Sequence, residues 1–278
     1  MRSLRIVAVI LFAVSLLFAG WANHRYFSQL NTDHPVIENS VEELEISVKD
    51  APDAIFTGLT ATDATDGDLT DRIMVASVSH FLEPATVRVK YVVFDSHNNS
   101  ATLTRRVHYT DYTAPVFTLD KAPVYTVGSS FDLLKHIRVT DCLDGDISDR
   151  IRVVSNMVNN YSVGNYPVVL EVSNSCGDTA QITIWVSYLS KETTATVALG
   201  QYIVYHQQGE TFEPMQWVTS VTDRHNVSLS TEHIEVQGNL DVNTPGVYSL
   251  VYSYADGKLS GQSTLMVVVT ERRGDDGR

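Results

Sequence analysis

Cysteine occurs only twice in the 278 residues, at Cys142 and Cys176, and cations are scarce: 20 Lys and Arg stand against 33 Asp and Glu, a net charge of −13. A phosphate-backbone binder needs a surplus of Lys and Arg, and the only basic runs are Arg105-Arg106 and Arg272-Arg273. Nucleic acid is therefore not an expected partner. The chain also lacks a Gly-x-Ser-x-Gly elbow and a His-Glu-x-x-His helix, and its nine histidines are scattered without ligand spacing. Beyond residue 30 no stretch sustains a helical stripe; Phe131 to Ile137 is long enough only for a single helical turn. What is left is an acidic chain with 44% hydrophobic and 19% charged residues, the balance of a folded protein rather than a disordered one.

The one long apolar run is Ile6 to Ala22, preceded by Arg2 and Arg5. It is near the lower limit of about 17 residues for crossing a bilayer, and Gly20 and Ala22 are small enough for cleavage after Ala22. Residues 1–22 are expected to be a signal peptide or an uncleaved signal anchor, the latter making the membrane a partner. Positive charge on the inner side places residues 23–278 outside the cytoplasm in both cases. In an exported chain the pair Cys142 and Cys176 is expected to form a disulfide, worth about 4 kcal/mol through loop closure.

A repeat dominates the remainder. Thr62 to Ile73 and Thr140 to Ile151 share Thr-Asp-x-x-Asp-Gly-Asp-Leu/Ile-Thr/Ser-Asp-Arg-Ile, with Asp63 and Asp141 at the same place in each. A fainter third copy aligns Gly246, Tyr248 and Asp256 with Gly164, Tyr166 and Asn174, and has no Asp-Gly-Asp segment. Within each copy apolar residues alternate, as in Val87, Val89, Tyr91 and Val93, or Val168, Leu170 and Val172. Period two is the mark of half-buried strands, and each copy closes with two such strands around a short polar turn. The expected fold is all-β: three tandem antiparallel sandwiches after an N-terminal hydrophobic helix. The expected boundaries are 33–110, 113–188 and a divergent 190–270, with 271–278 as a disordered tail. Prolines mark the first two junctions, at Pro35 and Pro115, whereas the third has none and is expected to be looser.

Thr113-Ala114-Pro115-Val116, the Asp-x-x-Asp-Gly-Asp segment, and the closing Tyr-x-Val-x-Leu-x-Val-x-Asn-x-x-Gly-x-x-Ala of residues 166–180 resemble the bacterial immunoglobulin-like domains named from pesticidal crystal proteins and related to hyalin repeats. Residues 33–109 are similar to the same pattern, and 190–270 only at Pro245 to Tyr248 and the final hairpin. Asn174 and Asp178 stand where the pattern has Asp and Asn. The resemblance implies surface display, adhesion or spacing rather than one chemistry. Trp185 follows both cysteines instead of lying between them, which disfavours the antibody-type domain.

Four carboxylates in nine residues, twice over, invite three readings. As calcium ligands the candidates are Asp63, Asp66, Asp68, Asp95, Asp141, Asp144 and Asp146, although the spacing is not that of an EF-hand. As a paired-carboxylate site they would serve glycoside hydrolysis, which needs a cleft that sandwiches of this size do not offer. As turn-formers, Gly67 and Gly145 supply positive φ while the Asp side chains accept backbone N–H bonds. The turn reading is the expected one, with no required cofactor, calcium being the single candidate. The expected function is a non-catalytic, surface-displayed binding or adhesion module for a surface protein or glycan. The alternatives are a purely structural stalk and a carbohydrate-active enzyme. A binding role predicts an exposed apolar or aromatic patch, sought first in the third repeat around Tyr202, Tyr205 and Trp217.

Overall fold

The computed structural model describes residues 12, 14–22, 25, 33–190, 195–257 and 259–271. Residues 14–22 are helical, and no helix among the described residues is long and apolar enough to cross a membrane. Residues 1–11 and 13 of the expected signal segment lie outside the described residues, as does the tail after Glu271. The chain divides at Thr110 into two compact units, 1–110 and 111–278.

In the first unit, module one consists of β1 (Val36–Asn39), β2 (Glu43–Ile46), β3 (Leu59–Asp63), β4 (Gly67–Asp68), β5 (Met74–Val78), β6 (Thr86–Phe94) and β7 (Ser100–Tyr109). They form two sheets, ordered β1-β3-β4 and β2-β7-β6-β5. The alternation in β6 has its expected consequence: Val87, Val89, Tyr91 and Val93 are fully buried, while Arg88 and Lys90 face solvent. Burying one such side chain contributes roughly 1.5–3 kcal/mol, so this strand is a main source of the module's stability.

The second unit contains modules two and three. Module two repeats the pattern with β8 (Val116–Leu119), β9 (Val124–Thr126), β10 (Ile137–Asp141), β11 (Gly145–Asp146), β12 (Arg152–Asn156), β13 (Gly164–Ser173) and β14 (Thr179–Leu189). Its sheets are β11-β10-β8 and β12-β13-β14-β9. Module three has β15 (Ala195–Leu199), β16 (Ile203–Gln207), β17 (Val218–Asp223), β18 (Ile234–Gly238), β19 (Gly246–Asp256) and β20 (Leu259–Thr270), in sheets β15-β17 and β16-β20-β19-β18. The chain is thus a series of small two-sheet sandwiches. Every module adds one parallel pair to an otherwise antiparallel design: β2 with β7, β9 with β14, β16 with β20. The opening strand of each module pairs in the smaller sheet, and the next crosses to the edge of the larger. Leu133–Lys135 is a short 3-10 turn that inserts Leu133 into the core of module two.

The junction without proline is tighter than its sequence suggests. Ile203 and Met266 of module three are buried in one cluster with Phe117, Val186 and Tyr188 of module two, and Tyr202 packs against the cores of both. Residues 191–194 of this junction lie outside the described residues.

Candidate functional site

The acidic segment of module one is held together by its own backbone. Asp63 ends β3, and its Oδ1 accepts the N–H groups of Thr65 and Asp66 at 2.8 and 2.9 Å. Gly67 then takes a φ of 75°, open to glycine at little cost, which turns the chain into β4. Asp68 Oδ1 accepts Thr70 N–H at 2.9 Å, and Thr70 Oγ1 in turn accepts Ala61 N–H at 3.1 Å. Module two repeats each step: Asp141 Oδ1 takes Leu143 and Asp144 N–H at 2.9 Å, Gly145 has a φ of 73°, and Asp146 Oδ1 takes Ser148 N–H at 2.9 Å. Module three keeps only the first step, with Asp223 Oδ1 accepting His225 and Val227 N–H at 2.8 and 2.9 Å.

The middle acid of each loop reaches the closing hairpin. Asp66 accepts Ser96 N–H at 2.5 Å and Ser96 Oγ at 2.9 Å, and Asp144 accepts Ser175 N–H at 2.7 Å and Ser175 Oγ at 2.6 Å. These bonds to Ser96 hold the Asp66 carboxyl below its ordinary range. Burial works against ionisation of Asp144, yet Ser175 together with the Arg150 guanidinium at 2.6 Å holds it low as well. The two loops therefore meet at one end of each of these modules, and the agents are serines rather than sulfur. Cys142 and Cys176 are free thiols, which corrects the expected disulfide. Cys142 Sγ is instead engaged with Thr113, donating to its carbonyl at 3.1 Å and accepting its N–H at 3.4 Å. Cys176 is buried, and burial pushes its thiol up, away from the reactive thiolate.

Asp95 heads the hairpin turn in module one. Its Oδ1 accepts His97 and Asn99 N–H at 2.8 and 2.7 Å, and its Oδ2 accepts Asn99 Nδ2 at 2.7 Å. Burial opposes ionisation, but the Asn99 and His97 donors outweigh it and keep the carboxyl low. In module two the acid and the amide change places. Asn174 Oδ1 accepts Asp178 N–H at 3.0 Å, and Asn174 Nδ2 donates to Asp141 Oδ2 at 3.2 Å and to the Tyr112 hydroxyl at 2.9 Å. The Tyr112 hydroxyl donates to Asp178 Oδ2 at 2.6 Å, and burial with the nearby Asp178 and Asp141 pushes this phenol far up. The Tyr112 link is not legible from the acids; the exchange of Asp95 and Asn99 for Asn174 and Asp178 was its only trace. Among the described residues no group of three or more His, Cys, Asp or Glu is arranged to hold a metal ion.

The aromatic residues singled out in module three do not form an exposed platform. Trp217 stacks on Phe212 at 6.3 Å between ring centroids and packs on the module core. Tyr202 lies in the junction. Tyr205 lines an open groove of about 630 Å³ with Pro115, Val116, Gln207 and Thr270, and its hydroxyl is occupied by Phe117 N–H at 2.8 Å. Exposed apolar side chains gather elsewhere. In module two Val153, Val154, Met157, Tyr161 and Val163 face solvent, Tyr161 with 83% of its surface accessible. Val153 and Val154 lie on β12, an outer strand of the larger sheet. Module one repeats this with Met74, Val75 and Val78 on its outer strand β5. Both strands carry a register shift, between Val75 and Ser77 and between Val153 and Ser155, a bulge of the kind that protects open edges from uncontrolled pairing.

Residues 198–267 match the family model described as a bacterial surface protein, Ig-like domain. Over 131 residues, 44% of this chain, the sequence is 32% identical to the pesticidal crystal protein Cry22Aa of Bacillus thuringiensis, and the match spans 16% of that protein's length. The chain thus carries a bacterial immunoglobulin-like domain of that type. Among solved structures it is similar to Drosophila N-cadherin EC1-3, with a TM-score of 0.30 and 12% identity over 84% of this chain and 99% of that one. It is also similar to the CBM51-2 and INT domains of Clostridium perfringens ZmpB, with a TM-score of 0.24 and 20% identity over 47% of this chain and 27% of that one. Neither of these two likenesses bears on what the chain does.

Proposed function

We propose that the chain is a surface-displayed binding module without a catalytic step, exported from the cytoplasm, and that its partner is a surface protein or glycan of the cell envelope or of another cell. The match of residues 198–267 to a surface immunoglobulin-like domain carries this reading. The carboxylates support it, because those of Asp63, Asp66, Asp68 and their module-two counterparts are engaged in shaping turns. The apolar residues on β12 and the loop after it are the surface to test first, since Val153, Val154, Met157, Tyr161 and Val163 gather as exposed apolar side chains in one stretch of module two.

The test is a protein and glycan array probed with the full chain and with Val154→Ser/Met157→Ser/Tyr161→Ser. Binding lost in the variant at an unchanged melting temperature supports the reading. Equal binding by both chains removes this surface, and no binding by either favours a spacer. The spacer reading has one observation behind it, the core shared by modules two and three through Ile203 and Met266, which stiffens that part of the chain.

A further inference from the structure

Modules one and two build the same acidic end from different atoms. In module two the Asn174 amide donates to Asp141 Oδ2 at 3.2 Å, so both oxygens of that carboxylate are satisfied. In module one the corresponding residue is Asp95, which as a carboxylate has no proton to give. Asp63 Oδ2 is accordingly buried without any hydrogen-bond partner. Asp63 is 7% exposed and Asp95 5% exposed, so solvent does not make up the deficit. The remaining groups of the loop are committed: Asp66 to Ser96, and Asn99 to Asp95 and to the Asp33 carbonyl at 3.0 Å. The buried cation of module one, Arg105, is committed to the carbonyls of Ile55 and Thr57. A buried carboxylate oxygen with no donor, where the equivalent of its module-two donor is a second buried carboxylate, is an arrangement that positive charge stabilises.

We propose that module one holds a hard divalent cation of the calcium class between Asp63 and Asp95, and that in module two the Asn174 amide takes the place of that cation. Carboxylate oxygens are the donors such ions prefer. Two carboxylates without a third acid leave the other coordination positions to backbone carbonyls and water. The affinity is then that of extracellular modules, with a Kd of about 0.1–1 mM. The acid–amide exchange between the two repeats makes one module cation-dependent and the other self-sufficient.

The experiment is a calorimetric calcium titration of the full chain after removal of divalent ions, paired with thermal melts in calcium and in chelator. The expected result is one ion per chain and a rise in the melting temperature of module one on addition of calcium. Asp95→Asn/Asn99→Asp transplants the module-two arrangement, and is expected to abolish calcium binding while melting higher than the parent in chelator. Asn174→Asp/Asp178→Asn does the reverse, and is expected to bind a second ion. No ion bound, two ions bound by the parent chain, or calcium binding that survives Asp95→Asn/Asn99→Asp each overturns the proposal. If that variant does not fold, the stoichiometry of the parent and the gain of a site in Asn174→Asp/Asp178→Asn decide. Stabilisation of the parent by mild acid with no calcium bound would assign the pair a shared proton, and also overturns it.

Discussion

The Tyr205 hydroxyl in β16 accepts the backbone N–H of Phe117 in β8 at 2.8 Å, so a side chain of module three completes an outer strand of module two. Burial pushes this phenol up, and the Phe117 N–H partly offsets the shift. Tyr205→Phe keeps the ring and removes the acceptor, leaving Phe117 N–H without its partner. The expected cost is about 1–3 kcal/mol at the junction. In urea the transitions of modules two and three should separate while that of module one stays in place. Coincident transitions in the variant would show that the shared apolar cluster alone couples the two.

Two glycines should respond oppositely to a single methyl group. A Cβ at Gly261 in β20 would lie 2.2 Å from the Ala195 carbonyl oxygen and 2.8 Å from its carbon, both backbone atoms of β15 that have little room to give. Gly261→Ala is expected to force the two sheets of module three apart and cost roughly 3 kcal/mol or more. A Cβ at Gly67 would meet no atom within 4 Å, and only its φ of 75° resists. Gly67→Ala should therefore cost only about 1–2 kcal/mol, in module one. Denaturant midpoints of the two variants give the comparison directly.

The strands of each module are legible because period two is a local signal, and the repeat offset makes Gly67 and Gly145 equivalent turns from spacing alone. The end of the module where the acidic loop meets the hairpin could also be anticipated, but through the wrong pair. Cysteine count and compartment pointed to sulfur, whereas Ser96 and Ser175 make the contact, and serine is too common to stand out in a sequence. Arg105 was indistinguishable from Arg106, a surface residue paired with Glu83 and Glu43, because burial of one member of a basic pair depends on which face of β7 turns inward. Module three lost its acidic loop, so the aromatic residues Tyr202 and Trp217 looked free when they were in fact filling the junction and the core.

Acid should unfold the modules in a defined direction. Asp66, Asp68, Asp95, Asp144, Asp146, Asp223 and Asp241 are all held below their ordinary value of 3.8 by hydrogen bonds that favour the carboxylate. A carboxyl whose folded value is depressed contributes its full stabilisation above the unfolded value, and that contribution is lost as the pH falls through the folded value. The melting temperature is therefore expected to be level above about pH 5 and to fall progressively below it. Ser96→Ala and Ser175→Ala remove the hydroxyl donors to Asp66 and Asp144 and leave the backbone N–H bonds in place, so each should partly flatten the acid limb for its own module. A melting temperature that rises between pH 5 and pH 3 would contradict the assignment.

Arg105 places a guanidinium in the core of module one at 4% exposure without a carboxylate partner. It donates to the carbonyls of Ile55 and Thr57 at 2.5 and 2.6 Å and to Asn39 Oδ1 and the Tyr91 hydroxyl at 3.2 Å, and it lies 5.1 Å from the centre of the Tyr91 ring. Four acceptors in a fork suit Arg, and a lysine has three donors on one nitrogen, so Arg105→Lys is expected to cost about 2–4 kcal/mol in module one. Module two fills the equivalent layer with Ile184 and Leu170, both fully buried. Arg105→Ile alone would strand the Thr57 carbonyl and leave the Ile55 carbonyl only the Tyr91 hydroxyl at 2.7 Å, and Tyr91→Leu alone would remove a ring and an acceptor from a buried cation. Because each change removes the other's partner, the double variant should be less destabilised than the sum of the single ones by at least about 1 kcal/mol. Urea unfolding of the four chains measures that coupling, and strict additivity would mean that the carbonyls, not the Tyr91 ring, hold the guanidinium in place.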